Sequence, residues 1–314
     1  MNETNEAGWE RKVIEQLAME SLKEARRKRR WGIFFRALGF LYFAVVIFLF
    51  MRGGEGSATI DGAEHTAMVD MEGVIGASGD VKAEETIQAL RAAFEAKTSK
   101  GIVLRINSPG GSPVQAGMIN DEIRRLRAKH PTKPVYAVVE DVCASGGYYI
   151  AVAADKIYVD KASIVGSIGV RMDGFGFTGT MEKLGVERRS ITAGDNKAFL
   201  DPFTAQNPKH IEFAKGMLAE IHQQFIDVVR QGRGTRLKET PEMFSGLFWS
   251  GAKSIELGLA DEFGTLDSVA RDVIKAAEVR DYTKHDNIAE RLAKRFGAGV
   301  SASVVQELNQ ISVK

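Results

Sequence analysis

The fold is decided by residues 102–139, which read IVLRINSPGGSPVQAGMINDEIRRLRAKHPTKPVYAVV. The run 102–106 is rich in β-branched residues and predicts a strand. The apolar residues that follow are spaced as on one face of a helix: Ala116, Ile119, Ile123 and Leu126. The run 134–139 is almost entirely apolar and predicts a second strand, one that is buried. This strand, helix, strand order favours a mostly parallel α/β sheet with crossover helices.

The alternation continues on both sides of this stretch. A predicted strand at 67–71 and a predicted helix precede it, the helix carrying its apolar residues at Ala83, Ile87, Leu90 and Phe94. A long amphipathic helix over 211–228 follows it, with His210 and His222 at the borders of the apolar stripe, where we interpret them as packing or surface histidines. We therefore predict one α/β domain over residues 65–285, with ligand chemistry in the loops at the carboxyl ends of the strands.

Composition excludes several classes of protein. The 314 residues are 44% hydrophobic and 26% charged, which is typical of a globular chain. A net charge of +1 provides no basic surface for a nucleic-acid backbone, so we expect no nucleic-acid partner. A single cysteine, Cys143, excludes an intramolecular disulfide and a multi-cysteine metal site.

The N-terminal region has the composition of a membrane anchor. Five basic residues at 26–30 precede an apolar run at 31–51, which is long enough to cross a bilayer and predicts an interaction with lipid. A signal peptide is disfavoured because no small-residue cleavage site closes the run, and a buried core helix fits badly beside the basic cluster. The positive-inside rule places residues 1–30 in the cytoplasm, and the glycine-rich stretch 52–64 reads as a linker to a domain on the other side.

Two loops could carry chemistry. In the first, Asn107–Pro113, paired glycines Gly110 and Gly111 precede a helix, which suits an oxyanion cradle or a plain tight turn. In the second, over 141–149, Ser145 stands at a strand-to-helix turn before Gly146, whose N–H could face a developing oxyanion. Ser145 could equally be a helix N-cap, and Cys143 is a competing nucleophile.

A serine nucleophile needs a base, and no histidine lies in a loop that follows a predicted strand. This disfavours a Ser-His-Asp triad. Lysine can act instead if burial lowers its pKa from about 10.4 toward about 7 to 8. The best candidate is Lys197, in a loop over 191–199 that we predict to follow another short β-strand.

Several of these segments, taken together, resemble the signal peptide peptidase A family in its short, single-repeat, membrane-anchored form. The resemblance covers about residues 65–270, and its segments are 107–111, 144–149, 163–170, 194–197, 248–253 and 258–261. It implies the Clp-protease/crotonase fold of repeated β-β-α units, preceded by one transmembrane helix. It also implies a serine endopeptidase that degrades cleaved signal peptides and other short hydrophobic or unfolded chains.

The resemblance also assigns roles to residues. Ser145 would be the nucleophile, Lys197 the general base and Ser167 the residue that orients the lysine. The oxyanion hole would use the backbone N–H of Gly146 and that of Gly110 or Gly111, with the choice between the two open. The dyad would be shared between neighbouring subunits of a homo-oligomer, and no metal or organic cofactor is expected.

The resemblance places the protein in the bacterial cytoplasmic membrane, with the catalytic domain on the extracytoplasmic side. Residues 286–314 read as a small helical tail. Three alternatives stay open: a sister protease acting on membrane-protein segments, a crotonase-type acyl-thioester enzyme, and a catalytically silent scaffold.

Overall fold

The computed structural model describes residues 62–284, together with residues 19, 23 and 26–45 near the N-terminus. Residues 26–45 are helical. Within the described parts of the chain, no helix is both long enough and apolar enough to cross a membrane. Most of the predicted segment 1–30, the end of the anchor at 46–51, most of the linker and the tail at 286–314 lie outside the described residues.

The described domain is built on a sheet of eight strands. They are β1 (His65–Glu72), β2 (Ser99–Ser108), β3 (Val135–Ala144), β4 (Lys156–Val159), β5 (Ile164–Gly166), β6 (Phe248–Ser250), β7 (Glu262–Phe263) and β8 (Val279–Asp281). The main order is β6-β5-β3-β2-β1-β8, and β4 and β7 extend it from β3. Every pairing is parallel except that of β5 with β6.

Helices connect these strands. They are α1 (Ala83–Glu95), α2 (Pro113–Lys129), α3 (Gly146–Ala151), α4 (Thr178–Leu184), α5 (Pro208–Arg233), α6 (Gly251–Glu256) and α7 (Leu266–Ser268), with a short 3₁₀ turn at Gly234–Arg236 and a π-helical turn at Val269–Ile274. The helices predicted on either side of β2 are thus confirmed as α1 and α2. The mixed α/β class and the parallel-rich sheet are confirmed as well.

The main core lies between one face of the sheet and helices α1 to α3. Alternate residues of β1, such as Ala67, Val69 and Met71, are fully buried there because successive side chains of a strand point to opposite faces. A smaller apolar cluster on the other face packs Val103, Val138 and Tyr158 against the segment after α7. Both faces of the central strands are therefore covered, which explains their continuous apolar runs.

Strand β3 continues past its predicted end. The sequence places a loop at 141–149, whereas the structure keeps residues 141–144 in the strand. The reason is a change of partner: the first half of β3 pairs with β4 (Tyr136↔Lys156 to Val138↔Tyr158), and the second half pairs with β5 (Val142↔Ile164 to Ala144↔Gly166). Glu140 and Asp141, between the two halves, are charged and exposed, so the sequence pattern predicts that the strand ends before them.

The segment 171–207, which we call the arm, differs from the rest of the domain. No residue between 169 and 213 is buried in the protomer. The short β-strand predicted before Lys197 is wrong: the structure has no strand in residues 185–199. The physical reason is that no strand within residues 62–284 lies beside the arm to supply ladder hydrogen bonds.

Candidate active site

Ser145 and Ser167 lie side by side at the carboxyl ends of two paired strands. Ala144 and Gly166 form the last registered pair of β3 and β5, and each serine is the next residue along its strand. The Ser145 N–H donates to the Gly166 carbonyl at 2.8 Å, and the Ser167 N–H donates to the Leu247 carbonyl at 2.7 Å. The structure thus brings together the predicted nucleophile and the predicted lysine-orienting serine.

Both serines have left-handed backbone conformations. Their φ angles are 51° for Ser145 and 52° for Ser167, in a region that serine rarely occupies. Such a conformation costs on the order of 1–3 kcal/mol and persists only where the surroundings hold it in place. Here the strand pairings and the backbone bonds of both serines provide that restraint.

The side chain of Ser145 does not cap the helix that it precedes. It accepts no hydrogen bond from the first turn of α3, whereas Ser112 and Ser250 at comparable positions accept from Gln115 N and Lys253 N. Within residues 62–284, Ser145 Oγ has no hydrogen-bond partner at all. The capping role that the sequence left open is therefore wrong, and the hydroxyl is available for chemistry.

Cys143 does not compete with Ser145. Its side chain lies in the main core with no exposed surface, and burial raises the pKa of its thiol well above the usual range. A buried, protonated thiol is a poor nucleophile.

The glycine pair lies against the N-terminus of α3. A Cβ atom on Gly110 would lie 2.7 Å from both Gly146 N and Ser145 Cβ, and one on Gly111 would overlap the carbonyl oxygen of Ile75. Both glycines also have positive φ, at 100° and 150°. Only glycine fits this approach of two backbones, so the segment is more than a generic tight turn.

The backbone N–H groups of Gly110 and Gly111 differ in whether they are already hydrogen-bonded. The Gly110 N–H donates to Ser108 Oγ at 3.1 Å, so it is already engaged. Neither Gly111 nor Gly146 has an acceptor for its N–H among residues 62–284, and Gly111 N lies 3.2 Å from where a Cβ on Gly146 would stand. Two free N–H groups beside a free serine hydroxyl form the arrangement that an oxyanion hole needs, and Gly111 is the better placed member of the pair.

Lys197 is not part of this cluster. It is exposed in the arm, in a turn closed by its own N–H to the Gly194 carbonyl at 3.1 Å. No hydrogen bond joins its Nζ to either serine within the described domain. The described domain of one protomer therefore brings together the predicted nucleophile and the candidate oxyanion donors but not the predicted base.

The turn that carries Lys197 is nevertheless attached to α5. His210 Nε2 lies 3.2 Å from Asn196 Oδ1, and the Phe199 ring packs at 5.0 Å from the His210 ring and at 5.7 Å from that of Phe213. A second histidine of the same helix, His222, reaches the carbonyl of Ile168, next to Ser167, at 3.1 Å. Neither contact could be predicted from local sequence patterns, because each joins two separate segments of the chain.

Helix α3 is joined to the segment 258–261, which a buried ion pair between Arg233 and Asp261 holds in place. Tyr148 of α3 donates its hydroxyl proton to the Leu259 carbonyl at 2.8 Å. Two residues later, Asp261 accepts two bonds from the buried Arg233 at 2.8 and 2.9 Å, and a third from the Ile157 N–H. Residues 258–261 are one of the segments that carry the family resemblance, and these bonds give them a structural role. Through Tyr148 they anchor α3, the helix that follows Ser145.

Peptidase family S49 matches residues 127–296, more than half of the chain. The chain belongs to peptidase family S49. The matched range contains Ser145, Ser167 and Lys197, whereas the glycine pair precedes it. The resemblance read from the sequence is thus confirmed at the level of the family, and so is the enzyme class of that family, the serine peptidases.

Several curated relatives share this domain. A protein of Brucella melitensis named Na(+)/H(+) antiporter NhaA is 48% identical over 186 residues, which cover 59% of this chain and 25% of the relative. A putative signal peptide peptidase SppA of Enterococcus faecium is 30% identical over 60% of this chain and 54% of its own. A putative protease of Synechocystis is 32% identical over 63% and 69%. The chain thus spans about a quarter of the antiporter and about half of the putative signal peptide peptidase.

Proposed function

We propose that this chain is a serine endopeptidase in which Ser145 is the nucleophile and Lys197 the general base. The observation that carries the proposal is the free Ser145 hydroxyl, held in a strained turn beside the unpaired N–H groups of Gly146 and Gly111. Membership of peptidase family S49 supports the same chemistry.

The first half of the reaction forms an acyl-enzyme. Ser145 Oγ attacks the scissile carbonyl while its proton passes to the neutral amine of Lys197. The carbonyl oxygen becomes an oxyanion, which accepts hydrogen bonds from the N–H groups of Gly146 and Gly111. When the C–N bond breaks, the lysine returns the proton to the departing amine.

The second half hydrolyses the ester. Lys197 takes a proton from a water molecule, the resulting hydroxide attacks the acyl carbon, and the same two N–H groups hold the second oxyanion. The bond to Ser145 Oγ then breaks and the serine recovers its proton. Ser167, adjacent to Ser145, donates or accepts a hydrogen bond that holds the lysine amine in line.

The base reaches the nucleophile through assembly of identical subunits. A lysine works as a base only when it is neutral, and an exposed ammonium ion does not lose its proton readily near neutral pH. Lys197 is exposed in the isolated protomer, and the arm around it exposes apolar side chains such as Phe175 (81%) and Ile191 (101%). A homo-oligomer that buries these side chains would bring the arm of one subunit to the Ser145 of its neighbour and desolvate the lysine.

The substrates we propose are cleaved signal peptides and other short hydrophobic or unfolded polypeptides. The Enterococcus faecium relative is named a putative signal peptide peptidase, which supports signal peptides as substrates. Such substrates contain apolar segments that partition into the bilayer, which suits a domain tethered there by residues 31–51, with its catalytic part outside the bacterial cytoplasmic membrane. A Clp-protease/crotonase arrangement of the repeated strand and helix units is the corresponding fold.

The test is hydrolysis of a synthetic signal peptide by the full-length chain in detergent, comparing the wild type with Ser145→Ala and Ser250→Ala. Ser250 caps α6, so its variant controls for the loss of a serine hydroxyl at a helix start. We expect the wild type and Ser250→Ala to cleave, and Ser145→Ala to lose activity by about 10³-fold or more. Equal cleavage by Ser145→Ala would refute the nucleophile.

If none of the three proteins cleaves the peptide although each is folded and assembled, the peptidase proposal fails for this substrate. Binding of coenzyme A to the same wild-type protein would then favour the acyl-thioester alternative. Cleavage of membrane-protein segments in place of signal peptides would favour the sister protease.

A further inference from the structure

Ser167 is held in its strained conformation by contacts on several sides. Its N–H donates to Leu247 and its carbonyl accepts from the Gly169 N–H at 3.0 Å. The next carbonyl along the chain, that of Ile168, lies 3.1 Å from His222 Nε2. The other contacts are made by backbone groups, whereas this one is made by a side chain, that of His222 on helix α5.

We propose that His222 is a positioning residue for the active site, acting through the backbone of Ile168 on Ser167. The inference rests on the proposed function, since it assigns to His222 the placement of the serine that orients Lys197. From its position at the border of the apolar stripe of the helix, His222 is predicted to be only a packing or surface residue.

The contact with the Ile168 carbonyl determines which ring nitrogen of His222 must carry a proton. A carbonyl oxygen only accepts hydrogen bonds, so Nε2 must carry the proton and donate it. Ile168 has no exposed surface, so its carbonyl depends on a donor from within the protein. His222 is half-buried, and it supplies this donor at the point where the chain leaves β5 and turns toward the arm.

Loss of the donor would leave a buried carbonyl unpaired. The segment 167–169 could then relieve the loss only by rotating toward water, and this rotation would release the positive φ of Ser167. Ser167 and Ser145 are neighbours across the β3–β5 pairing, so a shift there changes the direction from which the lysine amine approaches Ser145 Oγ.

Two substitutions separate the hydrogen bond from the packing. His222→Phe keeps a ring of similar volume and removes the donor, whereas His222→Gln removes the ring and keeps a donor. Gln223→Ala is the matched control, because Gln223 is the next residue on α5 and its side chain bonds Asp227 at 2.9 Å, on the exposed surface.

The first readout is hydrogen exchange at the Ser167 and Gly169 amides of the full-length protein, which does not require activity. We expect exchange to become about tenfold faster in His222→Phe, and to stay near the wild-type rate in His222→Gln and Gln223→Ala. The second readout is peptide hydrolysis. We expect kcat of His222→Phe to fall about ten- to hundredfold with little change in KM, and His222→Gln to recover most of the loss.

Unchanged exchange at both amides in His222→Phe would overturn the inference, and so would faster exchange together with an unchanged kcat. A fall in kcat that His222→Gln does not recover would overturn it too, because it would point to packing of the ring. If the wild type itself hydrolyses no peptide, the proposed function has failed, and the exchange rates alone then decide whether His222 holds Ser167.

Discussion

The two halves of the candidate site are built in opposite ways. The serine half lies at the end of a sheet that is covered on both faces, where strand pairing and backbone hydrogen bonds hold Ser145 and Ser167 in strained conformations. The lysine half lies in the arm, residues 171–207, in which no side chain is buried in the protomer. The proposed nucleophile, which must face an oxyanion hole, gains from this rigidity, whereas the proposed base stays exposed, as the proposed sharing of the dyad between subunits requires.

The difference also shows what stabilises each half. The serine half draws on the core of its own domain, including Tyr148 and the Arg233–Asp261 pair behind α3. Apart from the contacts of its Lys197 turn with α5, the arm is held by contacts within itself, such as the Phe177–Phe203 stack at 5.4 Å and the Arg188–Asp201 ion pair at 3.4 Å. We therefore expect substitutions in the serine half to act on the protomer, and substitutions in the arm to act on assembly.

The largest effect is expected from mixing two inactive chains. Ser145→Ala and Lys197→Ala should each be inactive alone, because each lacks one member of the dyad. If the dyad is shared between subunits, oligomers assembled from a one-to-one mixture should regain activity at up to about a quarter of their sites, since random pairing unites an intact serine with an intact lysine that often. The measurement is peptide hydrolysis after joint refolding. Mixed oligomers that stay inactive would place the dyad within one subunit.

The next largest effect is expected at Gly111. Gly111→Ala would place a Cβ on the Ile75 carbonyl and strain a backbone with φ of 150°, so the oxyanion donor would move. We expect a loss of about 10²-fold or more in kcat, together with a lower midpoint of thermal unfolding. Gly117→Ala is the control, because a Cβ there meets no atom within 4 Å. A Gly111→Ala protein with wild-type kcat would exclude this N–H from the oxyanion hole.

A moderate effect is expected in the arm. Ile191 is fully exposed in the protomer, so Ile191→Glu should leave the unfolding free energy of the protomer nearly unchanged while weakening assembly. Sedimentation velocity should show smaller species at a given concentration, and hydrolysis should fall in parallel. Lys97→Glu, an exposed substitution beside the amino end of β2, should change neither property. Intact oligomers of Ile191→Glu would show that this part of the arm is outside the interface.

The smallest effect is expected far from the site, at the link between α1 and α2. Glu122 accepts hydrogen bonds from Arg91 and Arg125 at 2.7 Å, and these arginines lower its pKa from 4.5 to about 2. A lowered carboxyl pKa contributes stability above pH 4.5, and this contribution is lost as the pH falls toward about 2.

Glu122→Gln should therefore reduce the unfolding free energy at pH 7 by at most about 3 kcal/mol and by much less near pH 3. Urea unfolding at the two pH values measures both differences. A difference of equal size at the two pH values would show that the ion pairs with Arg91 and Arg125 are not its source.

Much of this architecture could be predicted from local patterns. The apolar spacing of residues 83–94 and 116–126 corresponds to α1 and α2, and the runs 67–71 and 102–106 lie within β1 and β2. Ser145 could be found because a serine followed by glycine stands in a predicted strand-to-helix turn. These features depend on neighbours in the chain, so their signal is in the sequence itself.

Other features could not be predicted, because they depend on partners far along the chain. The second half of β3 is a strand only because β5 pairs with it, and the segment before Lys197 forms no strand because none of the described residues pairs with it. The availability of the Ser145 hydroxyl and the contact between His222 and the Ile168 carbonyl likewise depend on segments that are distant in the chain.

The sequence by itself thus determined the α/β class, the peptidase family and the identity of the candidate nucleophile, because hydrophobic periodicity and short motifs are local properties. Only the tertiary structure decided that Ser145 is not a cap, that Gly111 and not Gly110 has its N–H free, and that Lys197 stands apart from the serines. These three outcomes depend on which backbone groups meet in space, and hydrogen-bond partners between distant segments are set by the packing of the whole sheet.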